Sequence, residues 1–218
     1  MHNMKKNLFW MLAAILFCGS MATVLTSCGD DDDDSNGSSS TVTPSSDNIY
    51  EVTLSAVLPR CSAPYLSLHV NYTDANGKSD SFVVKEGDQT EALSSEAKTI
   101  YVKGTTLIRT SDDNVRLIDN IIVRTVTFTV PAGKTFSYTG SIVTRTDYTA
   151  PTEDVSVVQP CVICTAKRIS GSGTDNSASV VNASMSVTGS FGIHAEKFAD
   201  ILARWNGREV GKGLFTLQ

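Results

Sequence analysis

The chain has 218 residues, 41% hydrophobic and 7% aromatic, with a formal net charge of −5. Most of that charge is local: from Ser35 onward, past Lys5, Lys6 and the run Asp30–Asp34, 16 basic residues face 18 acidic ones, a balance of only −2. This near-neutrality gives no sign of a nucleic-acid partner, which would want a basic patch or stripe, and the remaining length suits one ordinary domain able to bury a core.

At the start of the chain, Lys5 and Lys6 form a positive n-region, and an apolar run from Leu8 to Val24 follows. A run of this length is near the minimum for a membrane-spanning helix, roughly 17–25 residues. It ends, however, in Leu25-Thr26-Ser27-Cys28, small residues and a cysteine where a cleavage signal needs them. That ending resembles the bacterial lipobox, which is cut just before the cysteine. Cys18 does not fit, because Phe17 is too bulky for the cleavage position. The resemblance implies that residues 1–27 are a removed signal peptide and that the Cys28 sulfur carries diacylglycerol. With three acyl chains the mature protein is anchored to a membrane without spanning it, since two or more chains hold stably where one does not.

Asp30, Asp31, Asp32, Asp33 and Asp34 come next. By composition alone such a run is a solvated tether. Placed directly after the lipidated cysteine, it also resembles the export signal of Bacteroidota surface lipoproteins. That resemblance implies the outer face of the outer membrane, with the membrane partner held through Cys28. Ser35 to Asp47 is polar and reads as a flexible linker. Residues 28–48 are therefore expected to be a lipidated acidic, Ser-rich tether, and residues 49–218 the folded domain.

From Ile49 the dominant signal is period-two alternation in Val, Ile, Thr, Tyr and Phe. Val52, Leu54, Ala56 and Leu58 alternate with Glu51, Thr53 and Ser55 up to Pro59. Leu66, Leu68, Val70 and Tyr72 form a second strand, Asp74-Ala75-Asn76-Gly77 a tight turn, and Ser81 to Lys85 the returning partner. Gly87 to Ala97 is polar and irregular, and Thr99 to Lys103 reads as a short strand. Val115 to Val130 is strand-rich, with Val126, Phe128 and Val130 on one face and Thr125, Thr127 and Thr129 on the other. After a turn at Pro131 to Lys134, Phe136, Tyr138 and Ile142 open the next strand. Val155 to Ile169 and Ser177 to Val187 follow as a hairpin around Ser170 to Gly173. Seven or eight strands without a βαβ rhythm predict a mainly β fold, an antiparallel β-sandwich of immunoglobulin-like kind. One C-terminal amphipathic helix, about 193–205, is the exception: Phe198, Ile201, Leu202 and Trp205 make one apolar stripe. Asn206-Gly207 reads as its C-cap, and Leu214 to Leu217 as a last short strand.

No catalytic constellation emerges, and no cofactor or metal is expected. Cys161-Val162-Ile163-Cys164 has the spacing of a redox pair or half a zinc site. Within a strand, though, residues three apart point to opposite faces, so the two are expected to be small buried hydrophobes. Cys61, Cys161 and Cys164 are odd in number and allow at most one disulfide, from Cys61 to either of the others. His69 falls on the wet face of its strand and His194 near the helix start, neither at a nucleophile spacing. Asp74 to Asp80 is too short for a calcium loop and lacks the distal bidentate Glu. Tyr50, Tyr65, Tyr101 and Tyr148 are the candidate contributors to a carbohydrate platform. Asn71-Tyr72-Thr73 and Asn182-Ala183-Ser184 match the glycosylation pattern by coincidence. Together these readings predict a non-enzymatic binding, adhesion or assembly module with a protein or glycan partner. The alternative is an envelope enzyme or enzyme accessory acting on glycans or peptides.

Overall fold

The computed structural model describes residues 47–105, 120–172, 179–182 and 189–218, all within one compact unit, Val42–Gln218. The signal segment, Cys28 and Asp30–Asp34 lie outside the described residues. Ten strands are described: β1 (Ile49–Pro59), β2 (Leu66–Thr73), β3 (Ser79–Val84), β4 (Ile121–Pro131), β5 (Thr135–Thr144), β6 (Val155–Val158), β7 (Cys161–Ser170), β8 (Ser179–Asn182), β9 (Gly189–Ile193) and β10 (Glu209–Thr216). Helix α1 (Ser95–Thr105) lies between β3 and β4, and helix α2 (Ala195–Trp205) between β9 and β10.

The strands build the expected antiparallel sandwich. One sheet runs β4-β1-β7-β8, the other β10-β5-β2-β3, and β6 pairs with β9 as a separate ribbon. Strand alternation decides which side chains meet. Val52, Leu54, Ala56 and Leu58 of β1 point inward against Leu66, Leu68 and Val70 of β2 and Phe136 and Ile142 of β5. Val126, Phe128 and Val130 of β4 join them, as the alternation predicted. Between β5 and β7 the layers close very tightly. A Cβ on Gly140 would sit 2.5 Å from Cγ2 of Val162, so only glycine lets β7 press this near.

The first sheet is buried on a second side as well. Val57, Ile121, Val123, Cys161 and Ile163 point outward and are covered by Ala97 and Tyr101 of α1, together with Val158. This corrects the expectation of a strand at Thr99 to Lys103. The β-prone run Thr99-Ile100-Tyr101-Val102 is helical because Ala97 and Tyr101, one turn apart, fill that apolar outer face. Ser94 caps the helix start, its hydroxyl accepting from the Ala97 N–H at 3.1 Å.

A second correction falls at Val155 to Ile169, which is not one strand. Gln159-Pro160 breaks it, because proline has no N–H to donate and restricts the residue before it. The chain changes sheets there, β6 pairing with β9 and β7 with β1 and β8. The β7–β8 hairpin does form. The first part of the expected Val115 to Val130 strand, residues 115–119, and most of Ser177 to Val187 lie outside the described residues.

The C-terminal helix closes one end of the sandwich. Phe198, Leu202 and Trp205 are buried, and Ile201 is half-buried. Its end is stitched to β5: Gly207, at φ +75°, donates to Ile142 O at 2.8 Å, and Thr144 N donates to Asn206 Oδ1 at 3.0 Å. The chain then returns as β10 along β5, longer than the expected Leu214 to Leu217.

Candidate functional site

The cysteines separate as strand geometry requires. Cys164 belongs to the core between the sheets, whereas Cys161 lies on the opposite face of β7 under α1. Burial pushes both thiols up to about 12, so they stay protonated and unreactive at neutral pH. Cys61 is half-buried at the rim of the α1 cluster, and its thiol is raised chiefly by burial and lowered in part by Ser62. All three are free thiols. Among the described residues, no group of three or more His, Cys, Asp or Glu could hold a metal ion.

The two described histidines, His69 and His194, each have one polar side-chain neighbour. The Ser67 hydroxyl lies 3.2 Å from His69 Nε2 and 3.3 Å from Val143 O. His194 stands just before α2, its Nδ1 2.9 Å from Asp154 Oδ1, with both side chains largely in solvent.

The Asp74 to Gly77 turn is a hairpin turn. Asp74 Oδ1 accepts from the N–H groups of Asn76 and Lys78 at 2.8 and 3.0 Å, so its carboxylate closes the loop. The candidate tyrosines lie at separate places. Tyr101, on α1, is buried against the outer face of the first sheet, and the Tyr50 hydroxyl donates to Gln218 O. Only Tyr65 and Tyr148 come together, edge-on to each other at 5.8 Å and packed on Phe198 of α2. Trp205 is buried, as the helical stripe predicted.

Two features were not singled out in the sequence. Arg145 organises the end of the sandwich beside that aromatic group. It grips both Asp147 oxygens, at 2.9 Å each, bonds Glu86, and reaches Ala63 O at 3.3 Å. The hydrogen bonds from Arg145 hold the Asp147 carboxyl below its ordinary range. The Arg145–Asp147 pair is short-range, but Glu86 lies 59 positions away, which no local pattern announces.

The second feature is a depression of about 380 Å³ on the outer face of the second sheet. Asn71 and Thr73 of β2, Ser79 and Ser81 of β3, and Ser137 and Thr139 of β5 line it. It is legible in part, since these are the polar positions of three alternating strands. Chemically it offers hydroxyl and amide donors and acceptors on a rigid grid, with Thr73 and Ser79 hydroxyls 3.0 Å apart.

No protein-family model matches the chain, and no curated protein and no solved structure matches it either. Among the described residues, no helix is long and apolar enough to cross a membrane.

Proposed function

We propose that the protein is an outer-membrane surface lipoprotein carrying a non-enzymatic β-sandwich module for binding, adhesion or assembly. Leu25-Thr26-Ser27-Cys28 followed at once by Asp30–Asp34 is the observation that carries the proposal. Acyl chains on Cys28 supply the anchor, the aspartates the outward address, and the Ser-rich linker the reach. The rigid sandwich then supports a recognition surface. Its two partner-facing candidates are the hydroxyl-lined depression on the second sheet and the Tyr65, Tyr148 and Arg145 end. Both are suited to polar partners: Asp80 also borders the depression, and Arg145 with Glu86 and Asp147 marks the other surface.

Metabolic labelling with a fatty-acid probe tests the anchor. The wild-type chain is expected to take the label and Cys28→Ala to lose it, leaving an uncleaved or soluble form. Normal labelling of Cys28→Ala would remove the basis of the proposal. Replacing Asp30–Asp34 with Ser is expected to keep the label and lower surface display; unchanged display would reduce the run to a tether.

A further inference from the structure

The chain has three Asn-Gly pairs: Asn36-Gly37, outside the described residues, Asn76-Gly77 and Asn206-Gly207. Asparagine before glycine is the sequence most open to a reaction with its own backbone. The nitrogen of the following residue attacks the side-chain carbonyl carbon, a C–N bond forms, and the side-chain nitrogen leaves as ammonia. Water then opens the cyclic imide at either carbonyl, giving aspartate or isoaspartate. One water is consumed, one ammonia is released, and nothing is oxidised or reduced. A side chain on the following residue hinders the attack, which is why glycine matters.

The two described pairs sit in opposite surroundings. Asn76 is at the exposed tip of the β2–β3 hairpin, and a Cβ on Gly77 would meet nothing within 4 Å. The Gly77 N–H donates to Asp74 O at 3.0 Å, a bond inside the turn that opening the tip alone would release. Asn206, although exposed, has its Oδ1 fixed by Thr144 N at 3.0 Å. Its attacking nitrogen, on Gly207, is held by Ile142 O at 2.8 Å. Freeing that pair means detaching the end of α2 from β5, next to the buried Leu202 and Trp205.

We propose that Asn76 is a site of spontaneous deamidation in the folded protein, while the contacts between α2 and β5 protect Asn206. Conversion places a new carboxylate at a tip that already carries Asp74 and Asp80. The isoaspartyl product also inserts a backbone carbon where the Asn76 and Lys78 N–H groups converge on Asp74 Oδ1. The hairpin beside the hydroxyl-lined depression therefore changes charge and shape with age.

Peptide mapping by mass spectrometry, after incubating the full chain at mildly alkaline pH, tests this. The Asn76 peptide is expected to gain the mass difference between an amide and an acid, in both aspartyl and isoaspartyl forms. The Asn206 peptide is expected to convert more than about tenfold more slowly, a factor worth about 1.4 kcal/mol of extra opening. In guanidinium the two rates are expected to converge, and Asn76→Gln is expected to abolish the product at the tip. An unchanged Asn76 peptide in the folded protein would overturn the proposal. Equal rates at both sites before denaturation would also do so.

Discussion

On the outer face of the first sheet, Val57, Ile121, Val123, Cys161 and Ile163 lie beneath α1. The outer face of the second sheet instead carries Asn71, Thr73, Ser79, Ser81, Ser137 and Thr139, with no layer over them among the described residues. The difference follows from composition at the outward positions. Apolar side chains there must be removed from water, at roughly 1.5–3 kcal/mol for each large one, and a helix is the element that does it. Hydroxyls are satisfied by water and leave the face open for contact. One sheet therefore spends its outer face on stability, and the other keeps its outer face available.

The largest expected effect comes from reversing the chemistry of the covered face. Ile163→Asp would place a charge at a fully buried position between the first sheet and α1. An unpaired buried charge of this kind is expected to cost more than about 4 kcal/mol. Denaturant titration, or failure to recover folded protein, reads the result; a variant close to wild type would mean that α1 does not cover the face.

Next comes the end of the sandwich. Trp205→Ala truncates a buried side chain of α2 and is expected to cost about 3–5 kcal/mol. A melting temperature unmoved by this change would make the helix a partner-docking element instead. Smaller again is Gly140→Ala, whose Cβ would press on Val162 Cγ2; overpacking of this sort costs about 1–3 kcal/mol.

The sequence carried more of this contrast than strand alternation alone revealed. Ile121-Ile122-Val123 and Cys161-Val162-Ile163-Cys164 are continuous apolar runs, the mark of strands buried on both faces. Such runs require a cover, and the cover was hidden because Thr99-Ile100-Tyr101-Val102 has β propensity. Packing against Val57 and Ile163 overrides that local preference. The Ser94 cap was the available local sign of a helix. By contrast, α2 was legible at once, because its stripe is strictly helical and its Asn-Gly end has few other uses. The Arg145 group was illegible beyond Asp147, since its other partners, Glu86 and Ala63, are distant in sequence.

The thiols give a gentler probe of the two faces of the first sheet. Folding lifts Cys161 and Cys164 from 9.0 to about 12, so the folded state holds these protons more tightly than the unfolded chain. Their contribution to stability is complete below about pH 9 and is lost as pH rises toward 12. A thiol reagent near neutral pH is expected to modify the half-buried Cys61 first, and Cys161 and Cys164 only as fast as the protein unfolds. Rapid modification of both, or a disulfide between them, would contradict their placement on opposite faces. At the bottom of the scale stands Ser81→Asp on the open face, expected to move stability by no more than about 0.5 kcal/mol.

Protease treatment of intact cells tests the surface-lipoprotein proposal most directly. With the domain displayed outside the outer membrane, added protease is expected to remove residues 49–218 from intact cells while periplasmic proteins survive. A domain that persists on intact cells, and is digested only after the outer membrane is opened, would contradict the outward display.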